Sequence, residues 1–176
     1  MLQSRVHLPT PRSARFLVRI VRAVWTLPTN VFGHAIGLVV SGARPRRVGG
    51  RAAIGFVYPI RDGWPLGFIG AITLGNAIVH RRGMFDGDEG RLILAHELAH
   101  TRQHDVLGPF YLPLHIVAQL VSASISLFTG PPVFSRVHDH NPLEQTFIAI
   151  AAGATRAWPI GASSIDVSRF LEEFGV

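Results

Sequence analysis

The chain has 176 residues, 48% of them hydrophobic and 16% charged, which suits one domain with a sizeable core and excludes a disordered chain. It has no Cys, so a disulfide framework and a thiolate metal site are excluded, while secretion stays open. The net charge of +6 is unevenly placed: residues 1–61 hold ten Arg and no acid, and residues 62–176 hold seven Arg against eleven acids.

A helix is expected over residues 13–26, after a lead containing Pro9 and Pro11. Arg15, Arg19 and Arg22 recur there at helical spacing among Phe16, Leu17, Ile20, Val21 and Trp25. That pattern suits an interfacial helix on anionic lipid, or a helix packed on its own core with a solvated Arg face. The large aliphatics argue against a nucleic-acid arm, although a basic, acid-free segment would otherwise suggest one. An uncharged run follows from Val24 to Val40, interrupted by Pro28, Asn30 and His34. Residues 41–51 read as a basic linker, so the chain divides into an N-terminal segment, 1–50, and a domain, 51–176.

Residues 52–60 read as a strand and 67–82 as two short strands around Gly75-Asn76. The next helix is capped by Asp86 or Asp88 and stopped by Gly108-Pro109. Its apolar positions fall at Leu92, Ala95, Ala99 and Val106. A second uncharged run covers 110–128, carrying Pro113 and His115. A helix from Pro142 to about Ala152, capped by Asn141, and a short one over 164–174 complete the chain. The runs 24–40 and 110–128 fall short of a clean span of about 20 apolar residues, so both are expected as buried helices or interfacial hairpins. A cleaved signal peptide is disfavoured, because the basic region is long and the apolar run carries polar groups.

The chemistry lies in residues 96–100, His-Glu-Leu-Ala-His. On a helix, residues four apart share a face, so His96 and His100 can both reach one Zn²⁺ at about 2.0–2.1 Å. Glu97 points past the metal and can take a proton from a water held there, then return it to a leaving amine. The small Ala95 and Ala99 leave space beside the histidines. The bland alternative is two surface histidines and an unrelated Glu. A catalytic zinc needs a third protein ligand and an open position. The downstream candidates are His115, His138, Asp139, His140 and Glu144. Glu144 is preferred because a helix would present it rigidly. Its rival role is the capping box Asn141-Pro142-Leu143-Glu144. His138 or His140 would then stabilise the oxyanion. His104, one turn beyond His100, fits a neighbour that supports the ligands better than a third ligand.

Gly70-Ala71-Ile72-Thr73-Leu74-Gly75-Asn76-Ala77-Ile78, followed by Ala95-His96-Glu97-Leu98-Ala99-His100-Thr101-Arg102-Gln103, resembles the core of the minigluzincin-like bacterial metallopeptidases. These include a domain found with contractile injection systems. Leu107-Gly108-Pro109-Phe110-Tyr111-Leu112-Pro113 is similar to small bacterial proteins that carry the same helix. The resemblance is close over 67–113 and loose over 138–150. It implies a zincin-like α+β fold: a small mixed or antiparallel sheet packed on the motif helix, with a downstream ligand helix. The apolar N-terminal segment would be an addition. It implies that the strand before the motif helix binds substrate backbone, through Ala71, Ile72, Thr73 and Gly75. It also implies a third Glu ligand, in agreement with Glu144. Gluzincins often place an acidic residue one turn after that Glu; here the position is Ile148, and Asp139 is the substitute considered.

The expected function is therefore a zinc-dependent hydrolase, a metallopeptidase acting on a peptide or protein. The expected location is the cytoplasm or the cytoplasmic face of a bacterial membrane, with anionic lipid as a second partner. The alternative is a non-catalytic zinc site, or a decayed one, in a membrane-associated interaction module.

Overall fold

A computed structural model describes residues 12–50, 52–65, 70–129, 141, 143–144, 171–172 and 174–176. Four short strands form one mixed sheet: β1 (Arg46–Gly49), β2 (Ile54–Pro59), β3 (Ala71–Leu74) and β4 (Ala77–His80), in the order β1-β2-β4-β3. β1 runs antiparallel to β2, β2 parallel to β4, and β4 antiparallel to β3. The β3–β4 hairpin turns on Gly75-Asn76, with Gly75 at φ 68°, a left-handed conformation that glycine adopts without a Cβ penalty. β3 stands at the edge of the sheet.

Strand side chains alternate between faces, and each face meets a helix. Val57 and Ile78 point to α2 (Gly87–Leu107) and pack with Leu94, Ala95, Leu98 and Ala99. Phe174, near the C-terminus, closes this core. Tyr58, Ala77 and Val79 point the other way, to Val40 of α1 (Arg12–Ser41). The result is an α+β fold of three layers, helix on sheet on helix. Glycines let α1 approach closely. A Cβ on Gly33 would fall 2.1 Å from the Leu74 carbonyl oxygen, and one on Gly37 would fall 2.6 Å from the Tyr58 ring. His34 Nδ1 lies 2.6 Å from the Tyr58 hydroxyl in the same seam. A 3-10 turn (Gly108–Phe110) then leads into α3 (Tyr111–Thr129).

Several expectations change. α1 is one helix through Pro28, where the sequence suggests an ending near 26. One proline removes one backbone donor, and packing on the sheet outweighs that loss. The expected linker 41–51 supplies β1, which pairs across residue 50 with β2. Segments on both sides of that boundary therefore build one sheet. The runs 24–40 and 110–128 are neither buried nor hairpins: the first lies within α1 and the second, after Phe110, within α3, and their large apolar side chains are mostly exposed. Ala95 and Ala99 are buried against the sheet, so their small size serves close packing rather than open space at the site. Val106, expected on the apolar face, is exposed. The expected helices at 142–152 and 164–174 lie outside the described residues, apart from a turn at Leu143-Glu144 and helical residues at 171, 172 and 174.

Candidate metal centre

α2 sets the spacing of the motif. Its buried face packs on the sheet through Leu94, Ala95 and Leu98, and that rotation fixes where His96, Glu97 and His100 emerge. The Nε2 atoms of His96 and His100 lie 3.0 Å apart. Glu144 Oε2 lies 3.1 Å from each of them. Three ligand atoms around one tetrahedral Zn²⁺ would be separated by about 3.3 Å, so this triangle has nearly the size that one ion needs. Among the described residues these three form the cluster that could hold a metal.

Glu144 arrives through a turn. Asn141 Oδ1 accepts a bond from the Leu143 N–H at 2.9 Å, and the Asn141 carbonyl accepts from the Glu144 N–H at 3.0 Å. Asn141 is buried, and its amide donates to Gln119 of α3 at 2.7 Å. The Glu144 carboxylate thus faces the two histidines, while Asn141 closes the turn.

Gln103 ties the two parts together. Its Oε1 accepts from His100 Nδ1 at 2.8 Å, and its amide donates to the Leu143 carbonyl at 2.7 Å. With a proton held on Nδ1, His100 would turn its Nε2 lone pair to a cation in the triangle once the Nε2 proton is released. Burial disfavours a charged His100. The hydrogen bond and charge of Glu144, with smaller help from Glu97 and Gln103, overcome that and push its pKa up to about 9. The pocket therefore favours positive charge where a cation would sit.

Glu97 is buried beside the triangle. Thr73 Oγ1 of β3 donates to Glu97 Oε2 at 2.5 Å. Of the residues expected to bind substrate backbone, Ala71, Ile72 and Thr73 lie on the edge strand. The Thr73 side chain, however, is committed to Glu97. Gly75 lies in the hairpin turn, where a Cβ would be 2.5 Å from Asn30 Oδ1, so α1 covers it.

His104 is buried but does not join the triangle. Its ring meets Tyr111 edge-on at 5.7 Å, and no hydrogen bond from it to a ligand exists among the described residues. Burial, and then the charge of Arg22, lower its pKa to about 4. His138, Asp139 and His140 lie outside the described residues.

Two further residues stand at the site: His115, one of the candidates for the third ligand, and Tyr111, which the sequence does not single out. His115 Nε2 lies 3.5 Å from Glu144 Oε1, and its ring is edge-on to His100 at 5.7 Å. Tyr111 is buried and packs against both His115 and His104. Burial, and then the charges of Glu97 and Glu144, raise its pKa, so it stays a neutral phenol. Nothing local marks Tyr111, because its place depends on how α3 turns back over α2. Gln103 had a signal, three residues after His100 on the same helix face.

The family model described as the eCIS core domain, an injection-system-associated domain, matches residues 69–107. That stretch spans less than a quarter of the chain. It includes β3, β4 and α2, and hence Thr73, His96, Glu97, His100 and Gln103, but not Tyr111, His115 or Glu144. No curated protein and no solved structure matches the chain.

Proposed function

We propose that this chain is a zinc-dependent hydrolase of zincin-like type, acting as a metallopeptidase on a peptide or protein substrate. The observation that carries the reading is the convergence of His96 Nε2, His100 Nε2 and Glu144 Oε2 beside the buried carboxylate of Glu97. Two imidazole nitrogens and one carboxylate oxygen are the donor set of a catalytic rather than a structural zinc site.

His96, His100 and Glu144 would hold the ion. When bound, zinc supplies a Lewis acid that polarises a carbonyl and acidifies a water. Glu97 takes the proton and delivers it to the leaving amine. Thr73 fixes one oxygen of that carboxylate, so the proton is carried on the other. Tyr111, a neutral phenol near both carboxylates, can donate a hydrogen bond to negative charge developing on a substrate oxygen. The edge of β3 offers backbone groups to an extended chain.

Metal analysis of the purified protein tests the reading. About one zinc per chain is expected, lost in the His96→Ala/His100→Ala double variant. Glu97→Gln should keep the metal and abolish hydrolysis of a denatured protein substrate. A folded chain that takes up no zinc at neutral pH would overturn it. Full metal content with no hydrolysis by the wild type would favour a non-catalytic zinc site.

A further inference from the structure

The uncharged part of α1, from Val24 onward, and α3 are built inside out. On α1 the side facing protein carries Thr26, Thr29, Gly33, Gly37, Val40 and Ser41, all buried. Its opposite side exposes Val24, Leu27, Val31, Phe32, Leu38 and Val39. On α3, Ser122 and Ser126 are fully buried, and Gln119 is bonded inward to Asn141. Leu120, Val121, Leu127 and Phe128 are exposed, Phe128 to 91%. A helix facing water shows the reverse pattern, with polar residues outward. By length and composition both regions could cross a membrane.

The two apolar surfaces meet. Trp25 of α1 packs on Phe110 at 5.9 Å between ring centres, and its indole N–H donates to the Val106 carbonyl at 3.3 Å. Beside this contact runs an apolar groove of about 370 Å³ lined by Ile20, Val21, Val24, Trp25, Pro28 and Pro109. An apolar surface of this extent marks an interaction site. Charge indicates the occupant. No Asp, Glu or Arg occurs between Arg22 and Arg44, or between Asp105 and Arg136. Arg12, Arg15 and Arg19 precede the first gap, and the exposed Arg44, Arg46 and Arg47 close it. Arginine at both margins of an uncharged apolar face suits anionic headgroups around hydrocarbon.

We propose that the outer faces of α1 and α3, joined at Trp25 and Phe110, are seated in the hydrocarbon of an anionic lipid bilayer, with both helices lying in the plane of one leaflet. Crossing is excluded by what the helices carry. Residues 29–41 of α1 pack along the sheet, whose edge strand β3 has backbone groups that hydrocarbon cannot satisfy. Residues 12–28 alone would reach about 25 Å, short of a core of about 30 Å. α3 presents His115 and Gln119 to the charged cluster on its inner side, which hydrocarbon would also penalise. The cluster then lies one helix away from lipid. This inference stands apart from the hydrolase reading, because vesicle binding needs no metal.

The full chain is mixed with sealed vesicles of phosphatidylcholine, with and without phosphatidylglycerol, and sedimented. Binding to both is expected, tighter with phosphatidylglycerol, and with a part that survives high salt. Val31→Asp in α1 and Leu120→Asp in α3 should each weaken binding about tenfold. Both positions are exposed, so the fold should remain, as circular dichroism checks. A protease outside the vesicles should remove tags from both ends of the chain. Four results would overturn the proposal: binding abolished by salt alone, binding unaffected by both substitutions, one protected end, or a stable dimer in vesicle-free buffer that the same substitutions dissociate.

Discussion

Thr73 Oγ1 donates a hydrogen bond of 2.5 Å to Glu97 Oε2, and both side chains are buried. The bond joins the edge strand of the sheet to the middle of the motif helix. It fixes one oxygen of the carboxylate and, among the described residues, leaves the other without a hydrogen bond. Thr73→Val keeps the shape and removes the donor. Under the hydrolase reading kcat should fall about 10–100-fold, with KM and zinc content unchanged. Thr73→Ser should restore most of the rate. If Val and Ser behave alike, the hydroxyl does not position Glu97.

Gln103 bonds to His100 on one side and to the carbonyl before Glu144 on the other. Its loss should therefore loosen two ligands at once. Gln103→Ala should weaken zinc binding about 10–100-fold, measured by competition with a chelator. Gln103→Glu still accepts from His100 Nδ1 but cannot donate to Leu143, so it should fall between. Equal affinity in all three proteins would remove Gln103 from the site.

The candidate site is legible in the sequence where it is local. His96, Glu97 and His100 follow from helical spacing, and the Gly75-Asn76 hairpin follows from turn chemistry. The third corner, Glu144, was legible only as one of five candidates, because its approach depends on Asn141 and Gln119 meeting across the fold. The side-chain partner of Thr73 is hidden for a related reason. Strand alternation shows that a side chain faces inward, but not which carboxylate it meets. In the N-terminal third, at Pro28 and at 41–51, tertiary packing overrides local propensity. The inside-out pattern of α1 was also hidden, since inner and outer faces can be told apart only once the sheet is in place.

Gly33 tests how α1 is seated. Only hydrogen fits between α1 and the Leu74 carbonyl, because a Cβ would fall 2.1 Å from that oxygen. The obstacle is backbone, which cannot swing aside as a side chain could. Gly33→Ala should destabilise the protein by about 1–3 kcal/mol in denaturant unfolding. In an exposed helix position the same change would stabilise, through helix propensity. A rise in stability would therefore show that α1 does not rest on the hairpin.

His104 makes the fold sensitive to acid. Burial, and then the nearby Arg22 charge, lower its pKa from 6.5 to about 4 in the folded chain. Arg22 is itself held by an ion pair with Asp105, and Tyr111 packs on the other side of the ring. The unfolded chain takes up a proton near pH 6.5, while the folded chain refuses it until about 4. Stability attributable to this group is therefore present above 6.5 and is lost as pH falls through that window. His34 and His80 are also lowered, by burial first, so they slope the same way in any variant that keeps them. Among the described residues His104 Nε2 is buried without a hydrogen-bond partner, so a ring without nitrogens loses no bond to them. His104→Phe should keep neutral-pH stability and flatten the acid decline, read as the change in denaturant midpoint between pH 7 and pH 4.5. Parallel curves for the two proteins would mean that His104 is not the group that the folded chain keeps neutral.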